Sequence, residues 1–515
     1  MKKRTHFAAA ACPLLFAAAT FGQQLGAPAP STTGTFANQV PLSGRTSQSG
    51  SVTATQAPVA GTTTSVNTIN PSIQAQGPYS GSAGSTAKMP FSGKLSLRDA
   101  IARGLEYNLG TVGLSLATRQ AQGEARVARS ALMPNLNSSL SETVEQENLR
   151  ALGLRVSTPV PGFSIPSVVG PFNYFDLRAR LTQTVADFTA LNNYRSAKET
   201  LHANALFAQD AKDQVVLAVG GAYLQVIAAE ARVASAKAQV DSADALYQQT
   251  AQQKSVGLVA QIDVNKSQVQ LLTEKQRLAT LQNDRDKQKI NLARLTGLPP
   301  NEKYELSDMI PFAEAPQLVE EDVVKQALMQ RPDIQAAQTQ IRAAERTLTA
   351  ARAERLPSLS VNADYGVIGT NPAQSHGTFS VAGTLRVPIW QGGRTEGDIE
   401  QANAALDQRR AEFEDLRSKV EADVRNAFLD LQAAISQVSV AQQNLDVTRE
   451  TLTLTRQRFD AGVTDTVDVS QSQAAVASAE LDYIDAVYAH NVAKLSLARA
   501  AGGSSESFSR YLKIQ

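Results

Sequence analysis

The sequence predicts a mainly α-helical chain made of two copies of one unit, each copy adding a pair of β-strands suited to a transmembrane barrel. Three observations predict this. Gly257-Leu258-Val259-Ala260-Gln261-Ile262-Asp263-Val264 is echoed by Gly462-Val463-Thr464-Asp465-Thr466-Val467-Asp468-Val469. Leu292-Ala293-Arg294-Leu295-Thr296-Gly297 is echoed by Leu497-Ala498-Arg499-Ala500-Ala501-Gly502, and both matches share one offset of about 205 residues. A repeat this long is two copies of one supersecondary unit. Long stretches carry apolar residues in alternating steps of four and three, and shorter ones alternate apolar and polar residues strictly.

The elements follow in order. Lys2-Lys3-Arg4 and the apolar run Phe7 to Ala19 form an export signal over 1–22, too short for a membrane span. Cys12, the only cysteine, lies within that run; Ala9 stands where a bacterial acylation signal normally has Leu, and the run continues past the cysteine, which argues against a lipid anchor. Residues 23–94 are rich in Ser, Thr, Gly, Pro, Ala and Gln, without period and almost without charge, and are expected to be disordered. Ser96-Leu97-Arg98-Asp99 opens repeat one (95–299) like a capping box, and one helix is expected from there to Ser130, stopped by Pro134.

Strands follow. Over 135–146, Leu136, Leu140 and Val144 share a face with Glu142; beyond a Gly/Pro-rich loop, Phe175, Leu177, Ala179 and Leu181 alternate with Asp176, Arg178, Arg180 and Thr182. Repeat two (317–501), reached through a linker (300–316), has a helix, then Leu359 to Val367 and Phe379 to Val387 as cleaner alternating runs; a tail (502–515) ends the chain. The passages into the strands also match, Ala131-Leu132-Met133-Pro134-Asn135 with Arg355-Leu356-Pro357-Ser358. Runs of about ten residues, apolar on one side and polar on the other, suit a barrel strand between lipid and water; a soluble sheet with one wet face is the alternative. No stretch beyond the export signal reads as the roughly 18 apolar residues of a membrane helix, so a membrane would have to be crossed by a closed barrel.

Very long helices are expected from Phe188 to Lys254 and from Arg394 to Asp460, each about 100 Å at 1.5 Å per residue. Their seams run Ala222, Val226, Ala229, Val233, Ala236, Val240 and Val424, Ala427, Leu431, Ala434, Val438, Ala441, the spacing of a coiled coil. After the turns at Gly257 and Gly462 medium helices resume the pattern with Val264, Ser267, Leu271 and Val469, Ser472, Val476. Phe413, Leu416, Val420 and Val424 include two successive steps of four, a stutter that straightens a supercoil locally. A tube or strut needs helices of this length; a compact domain does not.

Aromatic residues are 5% and charged residues 19% of the chain, as in long helices packed through small side chains, and a net charge of +1 gives no footprint for nucleic acid. His6, His202, His376 and His490 are scattered, and no catalytic, metal or cofactor constellation stands out; His490 reads as a packing or surface residue.

Over about residues 95–501 the chain resembles the TolC family of outer-membrane efflux channels. The marks are Pro388-Ile389-Trp390-Gln391-Gly392-Gly393-Arg394, similar to the family's strand-to-helix junction, the two turns at Gly257 and Gly462, similar to its hairpin tips, and Arg331-Pro332-Asp333, similar to its short helix break. The resemblance implies a homotrimer whose shared β-barrel, four strands per chain, sits in outer-membrane lipid above an α-helical tunnel crossing the periplasm. It further implies a periplasmic adaptor protein and an inner-membrane pump as partners, with efflux or secretion as the function. Val256, Gly257 and Leu258, and the weaker second copy Ala461, Gly462 and Val463, match the tip motif that contacts the adaptor; equally, Gly257 ends a helix in a left-handed conformation, with Leu258 packing under it. Asp468 matches an acidic position that rings the closed end, where three like charges would attract cations; it is also a carboxylate in the first turn of a helix, favoured by the helix dipole. Gln471 stands at a second acidic position, thinning the ring. Asp263 matches a gate aspartate whose Arg partner is Thr464 here, and Phe459 matches a gating aromatic, with seam packing the plainer role. A periplasmic coiled-coil structural or adaptor protein is the alternative function.

Overall fold

The computed structural model describes residues 50–59, 68–83, 91–151, 153, 166–308, 312–313, 318–503 and 512. The export signal and most of the tail lie outside them. The chain divides into two units: one holds residues 136–181 and 363–382, the other the remaining described residues.

The first unit is the body of a four-stranded sheet, β4 (Asn135–Asn148), β5 (Val168–Ala186), β7 (Ser358–Gly369) and β8 (His376–Arg386), in spatial order β4-β5-β7-β8. The expected alternation is its organising feature. Leu136, Leu140, Val144, Leu177, Phe379 and Val381 are exposed in the single chain. The polar set is cross-linked: Arg178 reaches Asp176 at 3.3 Å and also pairs with Asp364, which accepts from Ser380. One face is thus apolar and uncovered, the other an ion-paired surface suited to water.

The second unit is helical. A hairpin of β1 (Val52–Val59) and β2 (Thr68–Ala75) is antiparallel, with Val52 opposite Ala75, and the two-residue strands β3 (Lys94–Leu95) and β6 (Glu305–Leu306) pair in parallel. The helices are α1 (Leu97–Tyr107), α2 (Leu109–Ser130), α3 (Phe188–Ser255), α4 (Gln261–Leu295), α5 (Glu320–Gln330), α6 (Pro332–Ala353), α7 (Arg394–Asp460) and α8 (Thr466–Ala501). The long helices end within a residue of where the sequence places them, because no proline interrupts them and a glycine follows each end. Of the seams, Ala222, Val226, Ala229 and Ala236 of α3 and Val424 through Ala441 of α7 are buried as spaced, as are Val264, Ser267 and Leu271 of α4.

Three expectations are corrected. Residues 23–94 are not wholly disordered. The β1–β2 hairpin and a 3₁₀ turn at Gly77–Ser80 fold onto α3 and α8, with Tyr79 buried and Val52, Ala54, Ile73 and Ala75 packed on the main core. The reason is tertiary: a Cβ on Gly221 of α3 would lie 1.9 Å from Cδ1 of Ile73, so that glycine leaves the notch the hairpin needs. Second, the helix expected from Ser96 to Ser130 is broken at Asn108, which is extended (φ −63°, ψ 133°). Its side-chain oxygen accepts from the Gly110 amide at 2.8 Å to cap α2, while its amide donates to the Tyr79 carbonyl at 2.9 Å. Arg331 takes the same extended conformation between α5 and α6, so the break belongs to both repeats. Third, α3 does contain an 18-residue window of mean hydropathy 1.4, apolar enough for a membrane span, but 72% of it is buried inside the helical unit.

The breaks explain the matched repeat endings. α4 ends at Thr296, and Gly297 (φ 72°) leaves no room for a side chain against Tyr107, the last residue of α1. α8 ends at Gly502 (φ 86°), packed on Arg331 at the other break. Each medium helix therefore terminates on the kink of its own repeat, and glycine serves both the left-handed turn and the close approach.

Candidate functional site at the hairpin tips

The α3–α4 and α7–α8 turns lie together at one end of the helical unit. Gln249 of α3 donates to Asp460 of α7 at 3.2 Å, and Leu246, Phe459 and Val469 form a small apolar cluster between the hairpins.

The two turns share one backbone motif. The Gly257 amide (φ 79°) donates to the Lys254 carbonyl and that of Leu258 to the Gln253 carbonyl, both at 2.9 Å. The Gly462 amide (φ 72°) donates to Phe459 and that of Val463 to Arg458, again at 2.9 Å. Each is a Schellman termination. Leu258 does not pack under the turn as expected: it is 74% exposed, with Val256 and Val463 exposed beside it. The usual apolar contact of this motif joins the residue after the glycine to the third from the helix end. Here those third residues are Gln253 and Arg458, so neither Leu258 nor Val463 meets an apolar residue at that position of the motif. Ala461 caps α7, its amide bonded to Gln457 at 3.1 Å, and is also exposed.

The two following helices start differently. Ala260 offers α4 no side-chain cap, whereas Asp465 caps α8 by accepting from the Val467 and Asp468 amides at 3.0 and 3.2 Å. Asp468 is exposed in the first turn and accepts from the hydroxyl of Thr464. Thr464, in place of the absent arginine, thus turns toward its own helix. Asp263 lies 3.9 Å from Lys266, one turn along α4, so its ion pair is local. Phe459 is 9% exposed and packs on Leu246 and Val469, the seam environment. Gln471 is exposed and lines, with Asp468 and Thr464, a groove of about 370 Å³ between α7 and α8. Arg458 lines the same groove, one carboxylate and one guanidinium facing a common space. Sequence reasoning passed over Arg458; its position one helical turn before the tip glycine was the available signal.

Away from the tips, His490 on α8 is wholly buried against Phe312 (ring centroids 4.8 Å apart), and neither ring nitrogen has a hydrogen-bond partner among the described residues. Burial, with Lys494 one turn on, holds its pKa down near about 4 from the ordinary 6.5. Folding therefore releases a proton between those values, and stability should rise with pH across that window, with the contribution of this one group wholly absent below about 4. His490→Leu is expected to flatten this dependence, a change of order 1–3 kcal/mol, read from denaturant unfolding in detergent at a series of pH values.

Two long antiparallel hairpins, a leading helix broken once in each repeat and a four-stranded sheet with one bare apolar face define a channel protein of the tunnel type. Residues 114–298 and 323–503 match the outer membrane efflux protein family, and the chain belongs to it. It is 23% identical over 417 residues to the outer membrane protein OprJ of Pseudomonas aeruginosa, covering 79% of this chain and 84% of OprJ. It is 24% identical over 425 residues to the toluene efflux pump outer membrane protein TtgF of Pseudomonas putida, covering 80% and 84%. The solved Campylobacter jejuni CmeC outer membrane channel superposes with a TM-score of 0.68 at 17% identity, over 81% of this chain and 89% of that one, and so shares its fold. The TolC-type resemblance holds: this is an outer-membrane efflux channel, in a family of transport channels, and the soluble coiled-coil alternative is set aside.

Proposed function

We propose that three copies of the chain assemble into one channel that takes small molecules from a periplasmic adaptor and an inner-membrane pump and releases them outside the cell. The observation that carries this reading is the four-stranded sheet with its bare apolar face and paired polar face. Four strands cannot enclose a lumen, and open strand edges are not tolerated in lipid, so the sheet must be completed by other copies. The names of relatives, a toluene efflux protein and the pyoverdine export protein OpmQ of Pseudomonas aeruginosa, favour small-molecule cargo over protein. Light scattering in detergent should return a homotrimer; a monodisperse monomer would overturn the proposal.

In that assembly Asp468 serves as the selectivity residue and Val256, Gly257, Leu258, Ala461, Gly462 and Val463 as the adaptor contact. Three copies of Asp468 around an axis favour cations. Arg458 in the same groove works against them. Asp468→Asn should lower cation selectivity in planar-bilayer conductance and weaken block by trivalent cations, while Arg458→Gln should raise selectivity. Asp263→Asn should leave resting conductance unchanged, since its pair is with Lys266 of its own helix. Unaltered selectivity in Asp468→Asn would place the constriction elsewhere.

A further inference from the structure

α3 belongs to repeat one and α8 to repeat two, and where they lie side by side their packing leaves a cavity of about 270 Å³. α3 supplies Ile227 and Ala231, α8 supplies Ile484, Tyr488 and Asn491, and Phe312, from the connection between the repeats, closes one wall. Phe312 is itself held in place. Its ring lies on that of His490, and the carbonyl of the next residue, Ala313, accepts from the Lys494 ammonium. The lining is hydrocarbon apart from two tyrosines and Asn491, and none of it carries a charge. Asn491 is 3% exposed, yet its side-chain oxygen accepts no hydrogen bond among the described residues. Buried acceptors are normally satisfied, and one that the protein leaves unpaired calls for a donor from elsewhere. Water answers that call poorly, because it needs several polar partners and these walls are mostly hydrocarbon.

We infer that this cavity is a binding site for a small, uncharged aromatic alcohol of about phenol size, its hydroxyl donating to Asn491. A dry apolar cavity of about 150 Å³ already accepts a benzene ring, so this one has room for a ring with a polar substituent. Phe312 and Tyr488 offer the ring aromatic neighbours, and the aliphatic side chains Ile227 and Ile484 offer it apolar surface. One polar group on an otherwise apolar wall is what orients a ligand in a pocket of this kind. A ring seated there touches α3, α8 and the inter-repeat connection together, so it ties repeat one to repeat two. The site is independent of the tips and of the cargo the channel carries.

The full-length, assembled channel in lipid nanodiscs is titrated with 4-fluorophenol and, separately, with fluorobenzene, each followed by broadening of its fluorine NMR signal. 4-Fluorophenol should bind saturably with a Kd on the order of 0.1 mM, roughly tenfold tighter than fluorobenzene. Ala231→Phe fills the cavity from a half-buried position and should abolish saturable broadening, leaving only the linear part due to lipid. Asn491→Leu should remove the preference for the phenol while fluorobenzene still binds. Saturable binding unchanged in Ala231→Phe would place the probes elsewhere and overturn the inference. Equal affinity of the unaltered channel for both probes would mark a cleft for any apolar group, and no saturable binding at all is the result expected if a second copy covers the cavity; both overturn it too. Should Ala231→Phe fail to assemble, Asn491→Leu decides, and a retained preference for the phenol in that variant overturns the site.

Discussion

Leu258→Asp is expected to abolish export while leaving a folded, assembled channel in the outer membrane. Leu258 is exposed at the outermost turn, and its backbone amide, which closes the helix end on Gln253, survives the substitution. The side chain is largely exposed, so the folded state loses little. A docking partner loses an apolar anchor and must desolvate a carboxylate. Loss of one such anchor costs about 2 kcal/mol or more, roughly thirtyfold in affinity, at every copy of the tip. The measurement pairs a drug-susceptibility assay with trimer recovery from outer membranes. Unchanged export would make the tip irrelevant to docking, and loss of the trimer would make it structural. Gly257→Ala is the milder companion: a Cβ there meets nothing within 4 Å, so its effect is only the roughly 1 kcal/mol of the left-handed backbone.

Arg499→Ala should be the most destabilising single change in the helical unit. Arg499 in the last turn of α8 donates to Asp210 of α3 at 2.5 Å, and both are largely buried. Burial raises the Asp210 pKa, opposed chiefly by Arg499, so the carboxylate depends on that partner. Among the described residues, Gln214 would remain its other donor, at 2.7 Å. Removing one member of a buried pair costs about 3–5 kcal/mol, because the other stays charged and unpaired. The neighbouring hub compounds the loss: Arg331, at the α5–α6 break, pairs with Asp333 at 2.7 Å and lies 3.6 Å from Asp423 of α7. Denaturant unfolding followed by helical circular dichroism would measure it. The double variant Arg499→Ala, Asp210→Asn should recover part of the loss; equal instability of single and double variants would show that packing of the arginine stem, not charge, is at stake.

The helix lengths, the strand faces and the tip glycines were legible because each rests on a local pattern. Phe188 to Lys254 and Arg394 to Asp460 keep a helical apolar pattern without proline, and strand alternation separates Arg178 and Asp364 from Leu177 and Phe379 before any pairing is known. Among the candidate site residues, the sequence placed Asp468 in the first turn of a helix, and the geometry has it there. The exposure of Leu258 was legible in principle, since it follows from a polar Gln253 three places from the helix end.

What the sequence determined by itself is therefore periodic: two repeats, their long helices, their amphipathic strands and the glycine-terminated turns, all products of side chains a few residues apart. What only the tertiary structure decided depends on partners far away along the chain. The helix break at Asn108 needs the carbonyl of Tyr79, and the β1–β2 hairpin orders only because Gly221 admits Ile73, although its own composition cannot bury enough apolar surface to offset ordering entropy. The Asp210–Arg499 pair spans 289 positions. No local pattern encodes such a meeting, because it is the packing of helices already formed that brings those charges together.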